Sequence, residues 1–424
     1  MKQRLAYLDN LKILLVIGGI ALHTAITYGF DGSWYLESHD EMTGAVVDAV
    51  TVVLGTGWLF GLGLFFLIAG QLTAPSLDRK GPRRFAADRV VRLGVPVVAY
   101  TMLISPFLEY VDYRQNEDGT EALWPFVSEQ VWSLAPGPTW FLEALLVFSL
   151  AYALWRALRP AASPPTREPL RGRQVAAIAL AISVTSFTAH LAFPIGSEQF
   201  HLQLGMFPQY VILFSLGVAA GRRGWLDTLT PDLQRRCAVA SVFTVLALPA
   251  VLLAGDFFAG GAAEDRFAGG WHWQAAAFPL AEGVVATCVS IWAIGYFRRR
   301  FNHLRPLARR MAPAAYGAFV LHPPVIVGLA LAIQPLALPA ELKYITVFVA
   351  GVAGSFGVAA LVSRAGALLL GRSGRSKRRE VRDQVGRLHL KEIHRLRQAA
   401  ESPAAQAPQG DPVPERINDR RAHA

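Results

Sequence analysis

Apolar stretches recur along most of this chain, separated by short connections that hold most of its charged residues. A transmembrane helix needs about 20 consecutive, mostly apolar residues to cross the hydrocarbon core of a bilayer. The pattern therefore predicts an all-α integral membrane protein with ten transmembrane helices. The helices are expected at residues 8–28, 46–73, 90–108, 138–157, 174–193, 207–221, 237–255, 275–297, 311–333 and 342–370. The second and tenth stretches are long enough to be tilted, broken or followed by turns at the membrane surface.

The positive charges alternate from one connection to the next. There are 6, 5, 4 and 6 Lys and Arg residues in the connections 76–92, 156–173, 222–236 and 298–310. There are 0, 1, 0, 1 and 0 in the opposite connections, which are 29–45, 109–137, 194–206, 256–274 and 334–341. Cytoplasmic loops of membrane proteins carry the excess of Lys and Arg. The alternation therefore predicts that both termini are cytoplasmic, and it supports the count of ten helices independently of hydropathy.

The composition agrees with a membrane protein. Hydrophobic residues make up 53% of the chain and charged residues only 17%, whereas soluble domains contain about 25% charged residues. The formal net charge of +10 would indicate nucleic-acid binding in a soluble protein, but here it arises from the basic connections on one side of the membrane. We therefore expect contacts with membrane lipids and none with nucleic acid.

A cleaved signal peptide is the other interpretation of the N-terminus, because Lys2 and Arg4 precede an apolar stretch. Asp9 and Lys12 interrupt that stretch, and no A-x-A-like cleavage site follows it. The interruption favours a retained first transmembrane helix.

The sequence lacks common motifs for nucleotide hydrolysis and zinc binding. There is no G-x-x-x-x-G-K-[ST] loop and no H-E-x-x-H helix. Cys237 and Cys288 do not have metal-like spacing, and we interpret both as structural. No metal site and no tightly bound cofactor are expected.

The composition changes after the tenth apolar stretch. Residues 371–400 are strongly basic, with apolar residues at helix-like intervals. This pattern predicts a cytoplasmic amphipathic helix on anionic lipid in preference to a nucleic-acid-binding segment. Residues 401–424 are rich in Pro and Ala, which is typical of disorder. The chain is thus expected to consist of a membrane domain, 1–370, and a basic tail, 371–424.

Three cations lie near the predicted cytoplasmic ends of the first and third helices: Lys12, Arg89 and Arg92. Arg89 and Arg92 share a helix face. Cations at these ends often only anchor a helix to lipid headgroups. The deeper position of these three makes them candidates for a pocket that binds a phosphorylated cytoplasmic ligand. Lys12 also shares a face with His23, which follows about three turns later and roughly 16 Å along the axis.

Ionisable side chains also occur toward the opposite side of the predicted bundle. His23 lies in the outer half of the first helix, and Glu143 lies near the start of the fourth. A histidine and a carboxylate at similar depth can form a base and its orienting partner. Trp140, Glu282 and His322 are candidates for substrate binding in the same region. The alternative role of each ionisable residue is a hydrogen bond that holds helices together, although such residues within membranes are functional candidates by default.

Five segments match a known series of motifs. YLDNLKILLVIGGIALH is similar to an Arg-x10-His helix with Lys12 in place of Arg, and FFLIAGQLT is similar to FF-x-[IL]-SG with Ala69 in place of Ser. RVVRLGVP, GPTWFLEALLVFSLAY and YGAFVLHPPV are similar to R-x-x-R-[LI]-x-x-P, W-[FS]-L and YG-[IL]-Y-x-x-H. In this order, over about residues 4–370, the segments resemble the membrane acyltransferase 3 family. Its bacterial ten-helix members acylate sugars, glucans, lipopolysaccharides and antibiotics.

The resemblance implies transfer of an acyl group from cytoplasmic acyl-coenzyme A, as donor substrate, to a hydroxyl group. It implies that His23 is the general base, and that Lys12, Arg89 and Arg92 hold the phosphates of the donor. A lysine binds phosphate as a point charge, whereas the usual arginine would bind it in a bidentate manner.

Glu143 is a weaker match to the family. Many members have W-S-L-S-x-E, whereas this chain has W-F-L-E, as in the branch that contains osmoregulated periplasmic glucan succinyltransferases. Glu143 is expected to orient His23, to contact the acceptor or to support the fold. The branch implies a carbohydrate or glycan acceptor and a protein located in a bacterial inner membrane. Whether the transferred group is acetyl or succinyl stays open.

The alternative functions are an exporter and a membrane sensor. An exporter of an acylated glycan or lipid would need no chemistry of its own, and its expected feature is a pair of repeated halves with matching Gly/Pro-interrupted helices. The sequence contains no clear internal repeat. A membrane sensor is disfavoured because nothing in residues 371–424 resembles an output domain. The sequence leaves open whether the protein forms a homo-oligomer.

Overall fold

The computed structural model describes residues 5–115, 117, 119–159, 169–259 and 261–365. Within these ranges, ten helices are long and apolar enough to cross a membrane. The predicted all-α fold with ten transmembrane helices is confirmed. The predicted basic tail, 371–424, lies outside the described residues, as do residues 366–370 of the tenth predicted helix. The cytoplasmic location of both termini stays a prediction.

The ten helices are numbered in chain order. They are α1 (Ala6–Thr27), α2 (Gly44–Lys80), α3 (Pro82–Gln115), α4 (Trp140–Leu158), α5 (Gly172–Ala192), α6 (Phe207–Arg223), α7 (Pro231–Ala254), α8 (Trp273–Arg300), α9 (Ala315–Ile333) and α10 (Ala340–Ala365).

The second and third helices extend well beyond the apolar stretches that predicted them. They are separated only by Gly81, which has a φ of +74°, and Pro82 occupies the first position of α3. Glycine tolerates this left-handed conformation, and proline suits a helix start because its missing N–H has no helical partner there. The basic connection between α2 and α3 is therefore mostly helical.

One end of the bundle collects the basic connections, and we call it the basic end. The side-chain amide of Asn10, near the start of α1, donates hydrogen bonds to the carbonyl oxygens of Phe301 and His303 at 2.8 and 3.0 Å. The hydroxyl of Tyr316, near the start of α9, donates to the carbonyl oxygen of Arg92 at 2.8 Å. The beginnings of α1, α3 and α9 are thus tied into the same end.

Helices α2 and α6 approach each other very closely at glycine. A Cβ atom on Gly70 would meet the carbonyl oxygen of Phe214, and one on Gly217 would meet the carbonyl oxygen of Leu67. Small residues in transmembrane helices allow such backbone contact, which increases van der Waals packing where no hydrophobic effect drives association. These glycines therefore fix α2 against α6.

Aromatic side chains fill the middle of the bundle between α2, α4 and α9. The ring centre of Phe141 lies 5.6 Å from that of Phe65 and 5.5 Å from that of Phe319. The ring centres of Phe66 and Tyr210 are 4.9 Å apart. These five residues are called the aromatic layer. Offset and edge-to-face contacts of this kind stabilise packing beyond simple burial.

The connection between α1 and α2, residues 28–43, folds back over the bundle and is called the covering loop. The backbone N–H of Ser38 donates to the carbonyl oxygen of Thr27 at 2.8 Å. The C-terminal part of the covering loop is attached to α10. Asp40 forms an ion pair with Lys343 at 2.6 Å, and the N–H of Thr43 donates to Glu341 at 2.9 Å. The loop is therefore anchored at both ends.

Candidate active site

Two other aromatic side chains enclose the ring of His23. Trp34 of the covering loop stacks on the imidazole, with ring centres 4.1 Å apart and planes inclined by 22°. The ring centre of His322, from α9, lies 5.1 Å from that of His23 and 6.0 Å from that of Trp34. We call these three residues the His–Trp cluster. Three separate segments of the chain thus meet at the histidine that the sequence predicts as a base.

The His–Trp cluster contains three enclosed nitrogen atoms that have no hydrogen-bond partner among the described residues. They are Nδ1 of His23, Nε1 of Trp34 and Nε2 of His322. Buried polar atoms in native proteins nearly always have partners, so each exception calls for an explanation such as a catalytic role. Three exceptions within one stack make this cluster the candidate active site.

The chemistry of the cluster suits a hydroxyl group. An indole N–H can only donate a hydrogen bond, whereas a neutral imidazole offers one donor and one acceptor nitrogen. A hydroxyl donates one hydrogen and accepts others, so it can satisfy both kinds of group at once. Histidine is also the side chain best suited to take up a proton near neutral pH.

The covering loop brings neutral tyrosines to the rim of the site. The hydroxyl oxygen of Tyr35 lies 3.3 Å from that of Tyr100 on α3. Burial raises the pKa of Tyr35 to about 12, and burial together with the charge of Asp40 raises the pKa of Tyr28 to about 12. Both phenols are therefore uncharged at physiological pH.

Glu143 occupies a different environment from His23. It lies in the first turn of α4, half-buried, and its electrostatic neighbour is His201. The group that interacts electrostatically with His23 is His322. Among the described residues, the observed ring contacts join His23 to His322, and the pairing of His23 with Glu143 stays a prediction.

Trp140 and Glu282 border a second polar region, centred on α6. The ring centre of Trp140 lies 5.9 Å from that of Tyr210, and Tyr210 is an electrostatic neighbour of Glu282. Glu282 is fully buried and accepts a hydrogen bond from the amide of Gln209 at 3.0 Å. The same amide nitrogen of Gln209 donates to the carbonyl oxygen of Leu59 at 2.7 Å. Of the three predicted substrate-binding residues, the observed contacts join only His322 to His23.

The three predicted donor-binding cations make separate contacts. Lys12 forms an ion pair with Asp9 at 2.8 Å, one turn away on the same helix. The exposed Arg92 forms one with Asp88 at 2.9 Å. Among the described contacts, none joins Lys12 to either arginine.

Arg89 is more enclosed than Arg92. It donates a 3.4 Å hydrogen bond to Thr73, and its guanidinium lies 4.9 Å from the ring centre of Phe85. Its Nε atom is buried and has no partner within the described part of the chain. This arginine therefore retains capacity to bind an anion.

One face of α9 connects the basic end with the His–Trp cluster. Tyr316, Phe319 and His322 are three residues apart and share that face. Tyr316 contacts the backbone of Arg92, Phe319 belongs to the aromatic layer, and His322 contacts His23. The face spans about 9 Å along the helix axis.

Sequence reasoning missed Trp34, which supplies one wall of the site. The only signal was the aromatic pair Trp34–Tyr35 within an otherwise acidic and glycine-containing connection. Among the described residues, no group of three or more His, Cys, Asp and Glu side chains could hold a metal ion.

Comparison with known proteins supports an acyltransferase. The profile of the acyltransferase domain family Acyl_transf_3 matches residues 5–364, which include every helix from α1 to α9 and nearly all of α10. Searches of curated proteins and of solved structures gave no match. The chain belongs to the acyltransferase 3 family and is a multi-pass membrane acyltransferase.

Proposed function

We propose that the protein is a membrane-bound O-acyltransferase that moves an acyl group from cytoplasmic acyl-coenzyme A to a hydroxyl of a carbohydrate or glycan. The acyl group is acetyl, succinyl or similar. The basic end faces the cytoplasm of a bacterial inner membrane. The observation that carries this proposal is the enclosure of His23 by Trp34 and His322, with three unpartnered nitrogen atoms in one aromatic stack.

In this reaction His23 acts as the general base. Its imidazole removes the proton of the acceptor hydroxyl while the oxygen attacks the carbonyl carbon of the thioester. The C–O bond forms, the C–S bond breaks, and the imidazolium returns the proton to the leaving thiolate. The products are an ester and free coenzyme A. A positioned base of this kind contributes about 10²- to 10⁴-fold to the rate.

The donor binds from the basic end. Arg89 offers a buried nitrogen without a partner among the described residues, Lys12 lies on the helix that carries His23, and the exposed Arg92 adds positive charge. Phosphate groups favour such cations, and arginine in particular can bind them in a bidentate manner. The thioester arm then follows the face of α9 from Tyr316 toward His322.

Glu143, Trp140 and Glu282 have weaker roles in this proposal. Trp140 and Glu143 stand together in the first turn of α4 and can contact a carbohydrate that enters beside the covering loop. Glu282 accepts a buried hydrogen bond from Gln209, which supports a structural role, and its substrate contact stays a prediction.

The test is an acyl-transfer assay on the purified protein in lipid. Labelled acetyl-, succinyl- and longer acyl-coenzyme A are offered with a panel of glycans, and wild type is compared with His23→Ala, Lys12→Ala and Arg89→Ala. We expect transfer by wild type, a loss of at least 100-fold in His23→Ala, and a raised KM for the donor in the two cation variants. Transfer that survives His23→Ala contradicts the base assignment. The protein is an exporter instead if it transfers no acyl group and if vesicles export acylated glycan equally well with and without His23.

A further inference from the structure

The series of backbone hydrogen bonds in α9 is interrupted beside His322. In an α-helix the carbonyl oxygen of residue i accepts the N–H of residue i+4, so Phe319 would accept from residue 323. Residue 323 is a proline, which has no N–H. Instead, ring nitrogen Nδ1 of His322 lies 2.6 Å from the carbonyl oxygen of Phe319. The histidine thus replaces the donor that Pro323 removes.

This hydrogen bond determines the tautomer of His322. A carbonyl oxygen can only accept, so Nδ1 carries the hydrogen. In a neutral imidazole with hydrogen on Nδ1, the lone pair is on Nε2. That atom is buried and has no partner among the described residues, and the residue as a whole is 2% exposed. His322 therefore presents a hydrogen-bond acceptor inside the His–Trp cluster.

His23 presents the matching nitrogen. Its Nδ1 is likewise enclosed and without a partner in the described structure. The two ring centres are 5.1 Å apart, with planes inclined by 32°. Two imidazoles joined by a hydrogen bond of about 2.9 Å have ring centres roughly 5 Å apart. The observed separation of the two ring centres is therefore that of a hydrogen-bonded pair of imidazoles.

We propose that His322 is a positioning residue: its Nε2 accepts a hydrogen bond from Nδ1–H of His23 and leaves Nε2 of His23 as the basic nitrogen. This inference rests on the proposed role of His23 as general base. The arrangement gives His322 the role that a buried carboxylate has in Ser-His-Asp triads, which is to hold the imidazole in the correct tautomer and orientation. When His23 takes up the proton of the acceptor hydroxyl, the bond to His322 becomes charge-assisted and therefore stronger.

Two substitutions of His322 separate this role from simple packing. In His322→Gln the amide oxygen still accepts a hydrogen bond from His23, whereas in His322→Leu nothing does. We expect kcat to fall about 10- to 100-fold in His322→Leu, as for other residues that orient a functional histidine. The KM for the donor should stay within about twofold, and His322→Gln should recover most of the lost rate. Equal losses in both variants, or no loss in His322→Leu, would overturn the proposal.

The two prolines provide a matched pair of backbone variants. Pro323→Ala restores an N–H that competes with His322 for the carbonyl oxygen of Phe319. The hydrogen of His322 is then no longer fixed on Nδ1, so kcat should fall several-fold. Pro324→Ala restores an N–H for Val320 and should leave kcat unchanged. A similar loss in both variants would point to a general effect of the prolines on the helix backbone and would contradict control through the tautomer.

Nuclear magnetic resonance can determine the tautomers of His23 and His322 without any substrate. Wild type with ¹⁵N-labelled histidine is measured in lipid, and the signals are identified by their loss in His23→Gln and His322→Gln. We expect hydrogen on Nδ1 in both residues, with the signal of His23 changing in His322→Leu. Hydrogen on Nε2 of His23 would refute the inference. If wild type shows both expected tautomers but transfers no label, the proposed function fails while the hydrogen-bonded pair stands.

Discussion

Lys343 of α10 holds Asp40 of the covering loop in an ion pair of 2.6 Å, and the lysine side chain is only 3% exposed. The same ammonium donates to the carbonyl oxygen of Gln334 at 3.0 Å. The covering loop carries Trp34, so this ion pair connects α10 to the wall of the His–Trp cluster.

The first prediction concerns that ion pair. Lys343→Met removes the cation and leaves Asp40, whose side chain is 51% exposed, to be hydrated by water. Because this carboxylate is half-exposed, the pair contributes about 1 kcal/mol, so its loss should speed hydrogen exchange at the amides of Ser38 and Met42 about fivefold. Asp40→Asn should have the same effect, and the double variant should add nothing further. Additive effects would show that the two residues act independently.

The second prediction concerns the stacking of Trp34 on His23. Trp34→Phe retains a ring against the imidazole, and its acyl-transfer rate should stay within about threefold of wild type. Trp34→Ala removes the wall and leaves a cavity, so the rate should fall at least about tenfold. Trp132→Ala serves as a control because Trp132 is 79% exposed. A rate in Trp34→Ala equal to that of the control would exclude a role of the indole at the site.

The third prediction separates structural from substrate-binding roles of Glu282. Glu282→Gln keeps an acceptor for the amide of Gln209, whereas Glu282→Leu removes it. The leucine variant should lose about 1–3 kcal/mol of unfolding free energy, measured by thermal unfolding in detergent. Glu282→Gln should retain both stability and acyl transfer. A stable glutamine variant with a raised KM for the acceptor would instead establish the substrate contact.

The fourth prediction tests the close approach of α2 and α6. In Gly70→Ala the new methyl group meets the backbone of Phe214, and overpacking of this kind costs about 1–3 kcal/mol. Gly61→Ala, also in α2, is the matched control because no atom lies within 4 Å of its added Cβ. The control should be neutral or slightly stabilising, since alanine favours helix over glycine. Equal unfolding temperatures for the two variants would show that the helices can separate freely.

The fifth prediction is an alkaline opening of the covering loop. Burial raises the pKa of Tyr35 to about 12 from its ordinary value of 10.0, so the closed loop binds the proton more tightly than the open one. Its contribution to closure is fully present below pH 10 and is lost as the pH rises through about 12. Limited proteolysis of the loop at pH 9 and pH 11 should therefore differ in wild type. The difference should shrink in Tyr35→Phe, while an undiminished difference would assign the effect to other groups.

The transmembrane helices could be predicted because the thickness of a bilayer dictates the length of each apolar stretch. Helices α2 and α3 are longer than predicted. The apolar stretch of each ends near the membrane surface, whereas the helical backbone extends beyond it, up to Lys80 in α2 and from Pro82 in α3. The family could be recognised from short motifs and was confirmed over residues 5–364.

The side-chain partners within the site were harder to predict. Sequence assigned His23, Glu143 and His322 to neighbouring depths, but the direction of each side chain depends on how its helix is rotated against the others. The ring centres of His322 and His23 lie 5.1 Å apart, whereas the electrostatic neighbour of Glu143 is His201. Trp34 could not be predicted, because the path of its loop depends on an ion pair with Lys343 that is 303 residues away from Asp40.

The aromatic layer has a consequence for the electrical properties of the membrane. A membrane protein that encloses polar side chains between its transmembrane helices needs a seal against protons and cations. The rings of Phe65, Phe141 and Phe319 lie next to one another, on the side of the His–Trp cluster that faces the basic end. A constriction lined by apolar rings excludes water and thereby blocks hydrated ions. The packed rings of this layer are thus expected to keep water and ions from crossing the bundle at this depth.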